Sequence, residues 1–251
     1  MGLDTQHGGP RWTTAFLDLP GAAFAASVAF WRGVTATGIS APRGDHGELA
    51  TLVPADGDAF LRVQRFDGGP RVHLDLHVDD PVAAAAAAVA LGAAELFRED
   101  HVVLRSPGGF VFCAVPWQGE QRRPGPVGGV VVDQVALDVP DALHAAEVEF
   151  WSALTGWAAD GTDEPELTLL RRHAGIPLRL LLQRLGSDDP RQSVTAHLDL
   201  AAGAARRDVA DAHVAAGARI LAERADWVVM QDPAGIVYCL TAREPVVGRA
   251  D

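Results

Sequence analysis

The sequence predicts an α+β protein made of two similar halves, each of which runs strand, helix, several strands, and then repeats that pattern. Two observations support this fold class. Phrases from the first half recur in the same order in the second, and each half mixes alternating apolar and polar stretches with stretches that are apolar on one helical face. Between the halves, residues 118–129 (QGEQRRPGPVGG) are rich in Gly and Pro and lack apolar periodicity, which predicts a linker.

The internal repeat covers nearly the whole chain. We call residues 1–122 copy one and residues 130–247 copy two. The offset between matched residues drifts from 119 (Gln64 to Gln183) to 126 (Cys113 to Cys239), as expected when loops differ in length between copies of one domain. The matched phrases are Phe30-Trp31 with Phe150-Trp151, Gln64-Arg65 with Gln183-Arg184, HLDL at 73–76 with HLDL at 197–200, Gly92-Ala93 with Gly217-Ala218, and SPGGFVFC at 106–113 with DPAGIVYC at 232–239.

In copy one, local patterns predict each element. VHLDLHV alternates, which places His73, Asp75 and His77 on one face of a strand and the leucines on the other. The alanine-rich stretch after Pro81 predicts a helix that ends near Gly92, and three short strands then run to Val115. The other predicted elements are strands at 13–19, 48–53, 59–66 and 72–78 and a helix at 20–33.

Composition restricts the kind of partner. The 251 residues are 48% hydrophobic, which suffices for real cores, and the formal net charge of −12 argues against a nucleic-acid partner, because such binding relies on clustered Lys and Arg. No basic segment followed by an apolar run opens the sequence, and no stretch approaches the roughly 18 to 20 apolar residues of a membrane span. Two cysteines without a CxxC spacing fit a reducing compartment. We therefore expect a cytoplasmic protein, monomeric or homodimeric, whose partner is a small molecule rather than nucleic acid or a membrane.

Four βαβββ-like units in series, with HLDL and DPxG at these places, resemble the vicinal oxygen chelate superfamily of glyoxalases, bleomycin-resistance proteins and extradiol dioxygenases. The resemblance rests on DQVALD at 133–138, the helix ending in Phe150-Trp151, LLLQR at 180–184, HLDL and DPAGIVYC, in this order. It implies that two βαβββ units pair into a curved mixed sheet around a concave cleft, with the helices on the convex side. Each copy would form one such glyoxalase-like domain.

The same resemblance implies where a metal would bind, because metal-dependent members take ligands from the first and last strands of each unit. The matching positions are Gln134, Gln183, His197 and Cys239 in copy two and Thr14, Gln64, His73 and Cys113 in copy one. Neither set includes a carboxylate, since cysteine stands where the family usually has glutamate. Amides are weak ligands for hard divalent ions, and His197 with Cys239 falls short of the three strong ligands of a catalytic zinc. We therefore expect no metal or other cofactor and interpret both cysteines as small buried residues of a core strand.

Several other side chains have two interpretations each. His73, Asp75 and His77 either serve as acid and base groups or form the polar side of a half-exposed strand, and the pattern favours the strand. Trp227 stands where copy one has His101, and it either stacks on a ligand or caps the core. The remaining expectations are that Phe30-Trp31 and Phe150-Trp151 belong to the core, that Trp157 has the same two interpretations as Trp227, and that Arg172 and His173 occupy a solvated turn.

Three functions remain open. The favoured one is metal-free binding of a hydrophobic or aromatic small molecule, as in the drug-binding resistance members of the superfamily. The second is a metal-dependent enzyme of glyoxalase, epimerase or dioxygenase type, with Gln134, Gln183, His197 and Cys239 as ligands. The third is a metal-independent lyase or cyclase that uses His73, His77 or His197 as acid or base. The candidate ligand-binding residues are Gln134, Gln183, His197 and Trp227 in copy two and Gln64 and His73 in copy one.

Overall fold

The computed structural model describes residues 9–246, and its elements form four consecutive βαβββ units, as the sequence predicts. The outer ends of the two copies, residues 1–8 and residue 247, lie outside the described residues, as do residues 248–251. Copy one comprises β1 (Trp12–Pro20), α1 (Phe24–Thr35), β2 (Gly38–Ile39), β3 (Leu49–Val53), β4 (Leu61–Phe66), β5 (Arg71–Val78), α2 (Pro81–Ala90), β6 (Ala94–Arg98), β7 (Val102–Arg105) and β8 (Val111–Pro116). Copy two comprises β9 (Val131–Val139), α3 (His144–Thr155), β10 (Ala158–Gly161), β11 (Leu167–Arg171), β12 (Arg179–Arg184), β13 (Thr195–Ala201), α4 (Arg206–Ala215), β14 (Arg219–Glu223), β15 (Trp227–Gln231) and β16 (Val237–Thr241).

Each copy forms its own eight-stranded mixed sheet. The strand order in copy one is β2-β3-β4-β1-β5-β8-β7-β6, and copy two repeats it as β10-β11-β12-β9-β13-β16-β15-β14. In both, the central pair (β1 with β5, β9 with β13) is antiparallel, and its outer neighbours run parallel to it. The α+β class with two sheets of paired βαβββ units is therefore confirmed.

Strand alternation divides each sheet into an apolar face and a polar face. On β5, Leu74 and Leu76 are buried in the hydrophobic core, while His73, Asp75 and His77 point to the concave side. This confirms the predicted alternation. The expectation that the polar side would be half-exposed is wrong, because these three side chains are also buried.

The two copies share one hydrophobic core, and their helices pack across the boundary between them. In α1, Trp31 lies 5.2 Å from Tyr238 of copy two, measured between ring centroids. In α3, Trp151 lies 4.9 Å from Phe112 of copy one. Phe30-Trp31 and Phe150-Trp151 are fully enclosed, as the sequence analysis expects. Trp157 is also a core residue, which settles its two interpretations.

Buried carboxylates tie these helices to the repeated SPGG and DPAG turns. Asp232 accepts hydrogen bonds from the hydroxyl of Ser27 and, at 2.9 Å, from the indole of Trp31. Glu147 accepts from the backbone N–H of Gly108 at 2.6 Å and from the indole of Trp151. Burial raises the pKa of Glu147 despite these bonds. A Cβ on Gly108 would lie 2.6 Å from a methyl group of Val194, so this turn needs glycine for the close approach of copy two.

Two further findings concern the predicted turn at Arg172 and His173 and the lengths of the helices. Arg172 is buried and donates a hydrogen bond to the backbone oxygen of Asp133 at 2.6 Å, so the expectation that it is solvated is wrong, whereas His173 is exposed. Within residues 9–246, no helix is long and apolar enough to cross a membrane.

Candidate functional site

A cleft with a volume of about 450 Å³ lies on the concave face of the copy-two sheet, and we call it cleft two. Its floor is polar and is formed by β9, β13 and β16. One wall is apolar, formed by leucines of β11 and β12, and Trp227 of β15 lies on the other edge of the sheet. The floor residues are Gln134, His197, Asp199 and Cys239, and the leucines are Leu167, Leu169 and Leu181.

His197 lies at the centre of the floor between two carboxylates. Its Nδ1 is 3.2 Å from Oδ2 of Asp138, and its Nε2 is 3.3 Å from Oδ1 of Asp199. Burial alone would lower the pKa of His197, but the nearby charge of Asp138, a hydrogen bond from the ring to Asp138 and the contact of the ring with Asp199 raise it well above its ordinary value. Without any further ligand, His197 is therefore an imidazolium that neutralises part of the negative charge on the floor.

Gln134 is engaged at both ends of its amide. Its Oε1 accepts a hydrogen bond from Nε of Arg179 at 2.6 Å, and its Nε2 donates to Oδ2 of Asp199. The other oxygen of Asp199, Oδ1, is buried and has no hydrogen-bond partner among the described residues. Burial would raise the pKa of Asp199, but the neighbouring His197 outweighs burial and lowers it. The floor thus contains an ionised carboxylate whose Oδ1 forms an ion pair with His197 at 3.3 Å but accepts no hydrogen bond of good geometry from the part of the chain that the structure describes.

Cys239 completes a cluster of three possible ligands. One ligand atom each from His197, Asp199 and Cys239 lies within 4.8 Å of the other two. Both cysteines of the chain are free and buried, as the sequence predicts, and they also line the clefts, which the sequence analysis did not foresee. Burial raises the pKa of the Cys239 thiol, which therefore stays protonated at neutral pH in the absence of a metal.

The residues of cleft two fit a divalent metal ion. Nitrogen, oxygen and sulfur ligands from one histidine, one carboxylate and one cysteine suit zinc better than magnesium or calcium. The bond from His197 to Asp138 is the contact that usually orients a metal-binding histidine, and Oδ1 of Asp199 accepts no hydrogen bond from the described residues. The expectation that no carboxylate is available is therefore wrong, and the expectation of no cofactor loses its main support. The ligand positions implied by the family resemblance include Gln134 but not Asp199. The alternation of HLDL, which places Asp199 on the same face of the strand as His197, was the sequence signal for this carboxylate.

Cleft one, on the copy-one sheet, has a volume of about 740 Å³ and a similar cluster made of His73, Asp75 and Cys113. Nδ1 of His73 lies 2.9 Å from Asp18, as in copy two. Phe16, however, stacks on the His73 ring with centroids 4.5 Å apart. The guanidinium of Arg62 lies 3.7 Å from Oδ2 of Asp75 and already supplies a positive charge there. A metal ion fits cleft one less well for these two reasons.

The third histidine of interest, His77, has partners that copy two lacks. Its Nε2 lies 2.9 Å from the hydroxyl of Thr14, and its Nδ1 lies 3.2 Å from Oε1 of Glu120, a linker residue. Burial lowers the pKa of His77, so the ring is neutral near pH 7. His77 and His73 lie in cleft one and His197 lies in cleft two, so the three candidate acid and base residues do not form one site.

The structure brings together every copy-two residue that the sequence analysis proposed as a ligand-binding or metal-binding residue. Gln134, Gln183, His197, Trp227 and Cys239 all line cleft two. Their counterparts Gln64, His73, His101 and Cys113 line cleft one, while Thr14 is buried beneath it. Sequence reasoning missed four groups that surround the copy-two floor, namely Asp138, Asp199, Arg179 and Arg243.

Two curved sheets of paired βαβββ units, each around a cleft with a His/Asp/Cys floor, define a tandem protein of the vicinal oxygen chelate superfamily. The chain matches the glyoxalase-like domain over residues 14–115 and again over residues 134–241. These matches cover most of the sequence, so the protein belongs to the glyoxalase-like domain family and carries the domain twice. No curated protein sequence matches the chain.

Solved structures with the same fold include enzymes of two kinds. The Mn(II)-bound glyoxalase from Novosphingobium aromaticivorans is 17% identical, with a TM-score of 0.65 over 98% of this chain and 86% of that one. The 2,2',3-trihydroxybiphenyl 1,2-dioxygenase from Sphingomonas wittichii is also 17% identical, with a TM-score of 0.63 over 96% and 93% of the two chains. An extradiol ring-cleaving dioxygenase from B. fuscum is 15% identical, with a TM-score of 0.66 over 99% and 76%. At these identities the likeness concerns the fold.

Proposed function

We propose that cleft two binds a small organic molecule with an apolar, preferably aromatic, body and a polar end. The observation that carries the proposal is the division of the cleft into an apolar wall and a polar floor. Ligand sites are mostly apolar and aromatic, with a few polar groups that fix the orientation, and volumes of roughly 300 to 1,000 Å³ are typical. Cleft two has both the composition and the size.

The polar end of the ligand would meet the floor at His197 and Gln183. Both ring N–H groups of His197 already face carboxylates, so the amide of Gln183 would supply the donor and the acceptor, and a hydroxyl or carbonyl group is preferred. The body would lie between the leucines and the half-buried ring of Trp227, where stacking contributes on the order of 1 kcal/mol beyond the area it buries.

A fluorescence titration tests this proposal. Aromatic metabolites and drug-like natural products are screened by quenching of tryptophan emission, and the best compound is titrated again with Trp227→Phe. We expect a several-fold loss of affinity at an unchanged melting temperature. The matched control is His101→Phe at the same position of cleft one, which should leave the affinity unchanged. If no compound binds saturably, or if both variants bind equally well, the proposal is wrong.

The second candidate function is a metal-dependent enzyme of the same superfamily, and the His197, Asp199 and Cys239 cluster favours it. These three residues would hold the ion, which when bound would act as a Lewis acid on a substrate oxygen. Manganese occurs in the Novosphingobium glyoxalase, but a thiol ligand favours zinc here. Elemental analysis of protein purified without added metal tests this function. One equivalent of zinc, and a melting temperature that falls with EDTA and recovers with zinc, would support the enzyme, whereas a metal-free protein indifferent to EDTA would support simple binding.

We further propose that the protein is cytoplasmic and that it is a monomer or a homodimer. Cys113 and Cys239 are free thiols in different sheets, and a reducing compartment keeps such thiols reduced. Size-exclusion chromatography with light scattering measures the oligomeric state directly.

A further inference from the structure

A third cavity, with a volume of about 360 Å³, lies where copy one, copy two and the linker meet, and we call it the interdomain cavity. It lies on the core side of both sheets, because Leu61 and Leu200 alternate along their strands with Arg62 and Asp199, which face the clefts. Its rim is formed by the end of α1, the turn after β3, and residues 124–127 of the linker. Buried residues of the floor are Leu52, Phe60, Leu61, Val132 and Leu200.

We infer that the interdomain cavity is a binding site for an uncharged, mainly hydrocarbon small molecule, separate from the ligand of cleft two. The inference does not depend on the proposed function, since the lining residues of the cavity and of cleft two do not overlap.

The lining of the cavity determines the chemistry of this ligand. Its polar side chains already have partners: the hydroxyl of Thr35 donates to the backbone oxygen of Trp31 at 2.5 Å and lies 2.9 Å from the hydroxyl of Thr37, and Asp56 pairs with Arg122 at 2.7 Å. A charged ligand would lose its hydration without gaining a partner of opposite charge. Water would find few groups to bond to, because ordered water in a cavity needs two to four polar partners. An apolar molecule has no hydrogen bonds to water that it would lose on entering the cavity.

The cavity is held open by a fixed linker. The carboxylate of Asp58 accepts hydrogen bonds from the backbone N–H groups of Gln121 and Arg122, each at 2.8 Å, and these bonds lower its pKa. The neighbouring Gly57 has φ +86°, and a Cβ there would lie 2.7 Å from the nitrogen of Pro124. The linker is thus seated tightly on copy one before it forms the rim, so the space beneath it is preformed and the ligand does not have to order it.

The size of the cavity limits the ligand. Its volume lies at the low end of the range for small-molecule sites, which corresponds to one ring with a short substituent or a chain of similar bulk. The polar end, if the ligand has one, would lie at the rim, where the linker and the end of α1 meet the solvent.

Indole, toluene and 1-octanol are suitable probes, applied to the full chain and detected by saturation-transfer NMR and by thermal unfolding. We expect at least one probe to bind saturably and to raise the melting temperature by roughly 3 to 5 °C at ten times its Kd. Val34→Phe, at the end of α1, fills the cavity and should abolish both signals. Should that variant fail to fold, Val127→Trp closes the rim from a position whose side chain is 41% exposed and carries little packing.

The matched control is Leu169→Phe, which narrows cleft two and should leave probe binding to the interdomain cavity unchanged. The inference is overturned if no probe binds saturably. It is also overturned if binding persists at full affinity in the cavity-filled variant, or if it is lost in Leu169→Phe, since the probe would then occupy cleft two.

Discussion

Cleft one and cleft two are built on the same strands in the same order, yet three substitutions give them different chemistry. Phe16 in cleft one corresponds to Ala136 in cleft two, and each residue pairs across the sheet with the central histidine. Arg62 corresponds to Leu181, each beside that same position on the next strand. His101 corresponds to Trp227. Cleft one therefore has aromatic bulk and a positive charge beside its central histidine, whereas cleft two has an apolar wall.

The comparison teaches that the His/Asp/Cys floor alone does not determine whether a cleft can bind a metal ion or an organic ligand. In cleft one, the ring of Phe16 covers His73 and the guanidinium of Arg62 accompanies Asp75. In cleft two, Ala136 carries no ring that could cover His197, and Leu181 places an apolar side chain in the lining of the cleft. The residues that decide between the clefts are therefore the neighbours of the polar cluster rather than its members.

The largest effect is expected for the residues that would hold zinc under the second candidate function. Asp199→Asn should weaken zinc binding by about 100-fold or more, because a direct ligand matters at least as much as the outer groups whose loss costs 10- to 100-fold. The matched substitution Asp75→Asn in cleft one should leave zinc binding unchanged. Isothermal titration of both variants checks this. Equal losses in the two variants would contradict the assignment of the metal site to cleft two.

Copy two also carries a buried histidine where copy one has alanine, and this should make its half of the core sensitive to acid. His213, which stands where copy one has Ala88, packs against Phe30, and burial lowers its pKa to about 4. Because the unfolded chain takes up this proton near pH 6.5 and the folded chain only near pH 4, stability should fall as the pH drops between these values, by on the order of 2 kcal/mol. Denaturant unfolding at pH 7 and pH 4.5 measures the change. His213→Ala should show a smaller loss on acidification than the native protein, and an identical loss would contradict the account.

Gln134 should act as a positioning residue. Gln134→Leu removes the donor to Asp199 and the acceptor for Arg179, so we expect zinc affinity to fall about tenfold. Gln134→Asn would not reach both partners and should behave similarly. Thr14→Val is the copy-one control and should have no effect on zinc. If Gln134 were itself a ligand, Gln134→Glu would raise zinc affinity. We instead expect it to fall, since a second carboxylate would repel Asp199.

A smaller effect, the appearance of a second zinc site, is expected when cleft one is made to resemble cleft two. Phe16→Ala combined with Arg62→Leu removes the ring over His73 and the cation beside Asp75. We expect measurable zinc binding to appear at a second site, several-fold weaker than in cleft two because Thr14, which stands at the position of Gln134, bonds His77 rather than Asp75. A stoichiometry that remains at one zinc would show that other features of cleft one exclude the ion.

Much of this arrangement could be predicted from the sequence because its signals are local or repeated. The period-two alternation of HLDL fixed the faces of β5 and β13, and the repeat fixed the four βαβββ units. The metal cluster was misjudged because the family positions drew attention to Gln134 and away from Asp199, although both share a face. The crossing of the helices between copies had no local signal, since Ser27 and Asp232 are 205 residues apart. The burial of Arg172 also had no local signal, because its hydrogen-bond acceptor, the backbone oxygen of Asp133, lies on β9.

The most direct test of the account compares ligand binding before and after the apolar wall of cleft two is changed. Leu181→Arg places in that wall the charge that cleft one has at Arg62. The best aromatic ligand from the fluorescence screen is titrated by calorimetry into the native protein and this variant. We predict at least a tenfold loss of affinity, with a melting temperature within a few degrees of the native value. Unchanged affinity in the folded variant would show that the ligand binds elsewhere and would contradict the assignment of cleft two as the binding site.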